Sequence, residues 1–170
     1  MEILDLQISS YLFDYGQTLP KALVVFLASY LIWVMIVLIV LLVKRHPRIT
    51  MRILFYALAS SAAAYAVNAV IGFFFFRERP FVSLEIEALI NTSHLDKSFP
   101  SDHAAVSWAL AVSMALHYKK SAILFILIAL LIIIGRVLAG VHFASDVVAG
   151  AFVGSMAAWI VYLVASRKKK

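Results

Sequence analysis

A serine, an aspartate and a histidine stand together at Ser101, Asp102 and His103, and the residues that follow them, AAVSWALAVSMAL, are almost wholly apolar. Farther along, His142 and Asp146 lie four apart, so on a helix they share one face and the carboxylate can hold the imidazole. Such a pairing fixes the tautomer, leaves the far ring nitrogen with a free lone pair, and stabilises the cation that forms as that nitrogen attacks. His142 is thereby a candidate nucleophile with Asp146 as its partner, and His103 the complementary acid. Arg79 and Arg136 offer planar forks that match phosphate oxygens. Ser101 with the free amides at the start of the following helix makes a donor-rich terminus for the same anion. Together these types suit phosphoryl transfer. Its charge-rich transition state is stabilised mainly by positioned donors, and a histidine nucleophile divides hydrolysis into formation and breakdown of a phosphohistidine. Any one Arg or His at a helix end is more often an interfacial anchor or a snorkelling side chain.

These residues need a scaffold, and composition says which kind. With 64% apolar and 14% charged residues among 170 and a mean hydropathy of +0.98, the chain is not an ordinary water-soluble domain. Uncharged runs over 22–43 and 53–76 each exceed the roughly 20 residues that span a bilayer core. Three further spans are expected over about 104–118, 121–141 and 144–165, with their polar residues at the ends. Residues 1–20 carry Ile3, Leu4, Ile8, Tyr11, Leu12 and Tyr15 at near-helical spacing with Asp5 and Asp14 between them, which predicts a helix lying in the membrane interface. The expected fold class is an all-α helical bundle of about five transmembrane helices plus this interfacial helix, in one domain over 1–170. Cysteine is absent, so disulfides, thiolate metal sites and a cysteine nucleophile are excluded for this sequence.

Basic residues gather at Lys44, Arg45, Arg48 and Arg52, at Lys119 and Lys120, and at Arg167 to Lys170, which are alternate ends of the five spans. The positive-inside rule makes those ends cytoplasmic. The N-terminus, the 77–102 loop and the 136–146 turn then lie outside, as do all nine acidic residues. This topology brings Arg79, the Ser101 to His103 triplet, Arg136 and His142 to one membrane level. Convergence of ionisable groups at a membrane boundary marks a functional site by default. A transporter or flippase would continue its charges along a path across the bilayer, and these stop at the outer level. The terminal RKKK reads first as a topology anchor and then as a patch for anionic lipid, and no nucleic-acid partner is expected. Asn68 is expected to hydrogen-bond between helices, Gly150 and Gly154 to form a small-residue packing face, and His46, His94 and His117 to be bystanders.

The RP pair at Arg79 and Pro80, PSDH at 100–103 and GRVLAGVHFASD at 135–146 resemble the three signatures of the type-2 phosphatidic acid phosphatase superfamily, in order across nearly the whole membrane core. The third, Arg then five residues then His then three then Asp, is the most specific. The resemblance implies a phosphatase without metal or other cofactor. Its nucleophile would be His142, with Asp146 as partner and His103 as proton donor to the leaving group; Arg79, Ser101 and Arg136 would be phosphate ligands. Within the superfamily, the FPSDH wording resembles the bacitracin-resistance type of undecaprenyl-diphosphatase, implying hydrolysis of undecaprenyl diphosphate to undecaprenyl phosphate. Phosphatidylglycerol phosphate, phosphatidic acid and lipid A phosphates are the alternative substrates, and the oligomeric state is open. Three positions depart from the family pattern. Gly72 stands where a lysine is usual, Gly135 where serine is common, and Asp102 where glycine is common. Arg77 or Lys97 could fill the place of the missing lysine, although both read first as solvated loop charges. Asp102 repels an anion unless it turns away to cap the helix or pairs with an arginine.

Overall fold

A computed structural model describes residues 2–45, 47–93 and 96–167, and no side chain is described at residue 2 or at 46–50. His46, His94 and Lys168 to Lys170 therefore lie outside the described residues, as does the Arg48 side chain. The described chain is all-α, with seven helices. They are α1 (Glu2–Thr18), α2 (Lys21–Arg45, with a π-helical stretch at Phe26–Tyr30), α3 (Pro47–Phe74) and the single turn α4 (Pro80–Ser83). After a long loop come α5 (Asp102–His117), α6 (Ala122–Leu138, entered through a 3₁₀ turn at Lys119–Ser121) and α7 (Ala144–Arg167).

Four stretches are long and apolar enough to cross a membrane: Lys21–Arg45, Met51–Phe74, Lys119–Leu138 and Ala144–Arg167. The outward faces of these helices carry Trp33, Phe55, Ile123 and Phe152, an apolar exterior suited to a bilayer. This is a multi-pass membrane protein. The expected span over 104–118 is different in kind. Its helix, α5, has 16 residues, about 24 Å at a rise of about 1.5 Å per residue, and none of its residues is exposed. It is packed by α3, α6 and α7, with α7 as its most extensive neighbour.

That burial follows from side-chain size. Ala104, Ala105, Ala109 and Ala111 on α5 are fully buried. A Cβ at Gly150 would strike the Ser101 carbonyl oxygen, and one at Gly154 the Ala105 carbonyl oxygen, so α7 lies directly against the α5 backbone. Larger side chains fill the other end of the bundle, where Met35, Ile39, Ile53, Met114, Phe125 and Ile132 form the main core cluster. His117 sits there, stacked 5.0 Å from Tyr56 and edge-on to Tyr162.

α1 inverts the usual arrangement of an amphipathic helix. Ile3, Leu4, Tyr11 and Tyr15 point away from the bundle, while Ser9 and Phe13 are buried and Asp5 faces inward. α6 ends where Gly140 takes a left-handed φ of +73°, a conformation glycine adopts without a Cβ penalty. The Phe13 ring occupies the space a Cβ there would need.

Candidate active site

Three connections meet at one end of the bundle: the loop from α3 to α5, the turn from α6 to α7, and the bundle-facing side of α1. Backbone bonds lock them together. Ser98 N donates to Arg77 O at 2.8 Å, and Ser101 N donates to Asp146 O at 3.1 Å. At this end lies a cavity of about 550 Å³ whose lining includes Arg79, Lys97, Asp102, His103, Arg136 and His142.

His142 is buried at 3% exposure. Its Nδ1 lies 2.9 Å from Ser98 O. The carbonyl can only accept, so Nδ1 carries the proton and Nε2 is left with its lone pair, 3.5 Å from Arg136 Nη2. The expected bond from Asp146 is absent at this geometry. The Asp146 carboxylate is 3.8 Å from Nδ1, close enough to act by charge, while the hydrogen bond belongs to Ser98. Burial pushes the His142 imidazole down to about 4; the Asp146 charge opposes the shift, and Arg136 and Arg79 reinforce it. The ring is neutral at ordinary pH.

Both cavity arginines hold donors without partners among the described residues. Arg136 Nη1 donates to Ala28 O in the π-helical stretch at 3.2 Å, and its Nε is unpartnered. Arg79 Nε donates to Asp96 O at 3.3 Å and Nη2 stands 3.9 Å from Asp96, while Nη1 is buried and unpartnered. Burial weakens the Arg79 guanidinium's hold on its proton, and Asp96 and Asp102 oppose the effect. Buried donors without acceptors are costly, so these groups suit an anion that would satisfy them.

Gly72, where the family pattern has a lysine, lies against Lys97. The Lys97 side chain crosses the place where a side chain at 72 would be. Its Nζ donates to Asp102 Oδ1 at 2.9 Å and to Pro100 O at 3.0 Å. Asn68 Nδ2 donates to the same two acceptors, at 2.8 Å and 3.0 Å, and so makes the interhelical link expected of it. Asp102 thus pairs with a lysine. Gly135 also has a steric reason. A Cβ there would come within 2.7 Å of Leu27 Cβ and 2.8 Å of Ala28 N, so a serine would push α2 away and break the Arg136 contact.

Two residues stand apart from the cavity. Arg77 is ion-paired rather than a free loop charge. It lies outside the cavity lining, bonded to Asp146 at 2.9 Å and Asp5 at 2.9 Å, with its guanidinium carbon 3.8 Å above the Phe143 ring centre. Ser101 is the residue before α5, fully buried, with its hydroxyl unpartnered among the described residues, yet it is not part of the cavity lining. Ser98 and Asp5 were not singled out from sequence. The only signal for Ser98 is a hydroxyl three residues before Ser101, and for Asp5 a carboxylate among the apolar residues of α1. No group of three or more His, Asp or Glu side chains among the described residues is placed to hold a metal ion.

The sequence profile of the PAP2 superfamily matches residues 52–170, which hold Arg79, His103, Arg136, His142 and Asp146. The chain belongs to this superfamily. It is 27% identical over 172 residues to the bacitracin transport permease protein BcrC of Bacillus licheniformis, covering 98% of this chain and 84% of that one. It is 31% identical over 157 residues to an undecaprenyl-diphosphatase of Sulfolobus acidocaldarius, covering 89% and 73%. Among solved structures, the PAP2-type phosphatidylglycerolphosphate phosphatase of Bacillus subtilis superposes with a TM-score of 0.64 at 23% identity, over 98% of this chain and 86% of that one. At that identity the likeness speaks for the PAP2 fold alone.

Proposed function

We propose that this chain is a membrane lipid phosphatase that hydrolyses undecaprenyl diphosphate to undecaprenyl phosphate and inorganic phosphate through a phosphohistidine. The observation that carries the reading is the neutral His142 Nε2 at a cavity whose two arginines hold unpartnered donors. Nε2 attacks the terminal phosphorus as the bond to the lipid monophosphate oxygen breaks, with His103 giving a proton to that oxygen. Water then attacks the phosphohistidine, His103 takes its proton, and the nitrogen–phosphorus bond breaks to release phosphate. Arg79 and Arg136 hold the phosphoryl oxygens, and Lys97 is the third cation of the cavity. Ser101, at the start of α5 beside this cavity, has a buried hydroxyl left to donate. The relatives supply the choice of lipid, since one of them is named for this diphosphate.

Residues 1–170 act in this reading as a single membrane-embedded unit. α5 is a fifth crossing, because its two ends join loops that belong to opposite ends of the bundle. The site faces outward from the plasma membrane and the C-terminus lies in the cytoplasm, as the basic residues suggest.

Phosphate release by the purified protein is to be measured on undecaprenyl diphosphate, phosphatidylglycerol phosphate, phosphatidic acid and lipid A. Turnover should be fastest on the diphosphate. His142→Ala should lose at least about a thousandfold, since water attack without the nucleophile cannot replace it. A preference for one of the other lipids would move the substrate assignment, and an active His142→Ala protein would end the mechanism.

A further inference from the structure

Asp146 is fully buried and every oxygen of its carboxylate is engaged. Oδ2 accepts from Ser98 Oγ at 2.6 Å and from Phe143 N at 2.8 Å, while Oδ1 accepts from Arg77 Nη1 at 2.9 Å. Arg77 is shared. Its Nη2 donates to Asp5 Oδ2 at 2.9 Å, and Asp5 belongs to α1, far away in sequence. Asp5 does more than meet the guanidinium. Its Oδ1 accepts from Ser145 N at 2.9 Å and its Oδ2 from Ser145 Oγ at 2.6 Å, while Ser9 Oγ accepts from Ala144 N at 2.9 Å. The first amides of α7 are thus capped by another helix, and Asp146 itself returns to the Phe143 amide in the manner of a capping box.

We propose that Asp5 is a positioning residue for His142, acting through Arg77 and Asp146. The proposal rests on the reading of His142 as nucleophile. Attack on phosphorus places positive charge on the imidazole, and the groups behind the ring decide how well that charge is tolerated. Arg77 alone would neutralise Asp146. With Asp5 on its other side, the Asp5, Arg77 and Asp146 cluster keeps one net negative charge, held at fixed distance by the Phe143 ring beneath the guanidinium. On the cavity side the ring faces Arg136 and Arg79, with His103 on α5 across the same space, so the cluster is the counterweight to two fixed cations. A helix whose exposed apolar side chains point away from the bundle thereby sets the electrostatics of the reacting atom.

Charge-neutral substitutions separate this from a purely structural cap. Asp5→Asn keeps an acceptor for the Ser145 amide but leaves the cluster with no net charge. Arg77→Gln leaves it with two negative charges, and the double variant returns it to one. Expected for Asp5→Asn is a fall in kcat of about tenfold, the factor that one unit of basicity represents, with KM within about twofold. The acidic limb of kcat/KM should move to lower pH in Asp5→Asn and to higher pH in Arg77→Gln. In the double variant the limb should return toward wild type, with kcat above that of Asp5→Asn. Limbs that stay fixed, or a double variant worse than both singles, would reduce Asp5 to a helix cap and overturn the proposal. An isoprenyl diphosphate radiolabelled on its terminal phosphate, with alkaline quenching, keeps the two readings apart. Absence of labelled wild-type enzyme, or label surviving in His142→Ala, sinks the nucleophile assignment. Label on His142 that forms at an unchanged rate in Asp5→Asn sinks the role of Asp5 alone.

Discussion

A histidine that attacks phosphorus must be neutral, and at His142 burial and two nearby arginines keep it so down to about pH 4. The sign of the pH dependence follows. Because the folded-state value is depressed, the reactive neutral form is full at neutral pH and is lost only as pH falls through about 4. The acidic limb of kcat/KM should lie well below the ordinary histidine range in a profile measured between pH 3 and about 8. A limb near about 6.5 would mean that His142 is not the group titrating. A second expectation follows from the cavity's charge. With Arg79, Arg136 and Lys97 in its wall and Asp102 held by Lys97, a divalent cation would be repelled, so EDTA should leave turnover unchanged. Restoration of lost activity by Mg²⁺ would contradict this. The sequence made the spacing of Arg136, His142 and Asp146 legible because they follow closely in the chain, in the last turn of α6, the connection after it and the first turn of α7. It could not show that Ser98 takes the imidazole proton, since that contact spans 44 residues and depends on how a loop folds back.

At the scale of elements, small residues decide how closely helices approach, and the approach decides where the ligating groups stand. Gly154 lies against the α5 backbone, so Gly154→Leu should push α7 away from α5 and cost about 1–3 kcal/mol or more by overpacking. A melting curve in detergent should show a lowered Tm, and an unchanged Tm would mean that the two helices separate without loss. Gly135 sets the approach of α6 to the π-helical stretch in the same manner. Hydropathy marked α5 as a span alongside the helices with exposed apolar faces, and could not show that its neighbours would enclose it. The difference is physical. Apolar content reports transfer out of water, and a helix buried by its neighbours reads much like one buried by acyl chains. The N-terminal helix was legible as amphipathic. Its apolar side chains gave no hint that Asp5 and Ser9 would be the residues reaching into the bundle.

For the molecule as a whole, sidedness is the property most open to test. Single cysteines can be placed at Ser93 and Ser166 without background, because the chain has none of its own, and both positions are exposed. In intact cells a thiol reagent that cannot cross the membrane should label the Ser93→Cys protein and spare Ser166→Cys. The reverse pattern would put the cavity against the cytoplasm and remove undecaprenyl diphosphate released outside as the favoured substrate. The absence of any exposed residue on α5 has a mechanical consequence. His103 and Asp102 ride on an axle sheathed mostly by other helices, whereas Arg136 and His142 hang from helices with broadly exposed apolar outer surfaces. A bilayer thinner or thicker than those helices prefer would tilt the outer ring and leave the axle where it is, shearing the two halves of the site past each other. Turnover in vesicles should accordingly peak at one acyl-chain length and fall on either side, a sensitivity that a site built wholly on lipid-facing helices would not show.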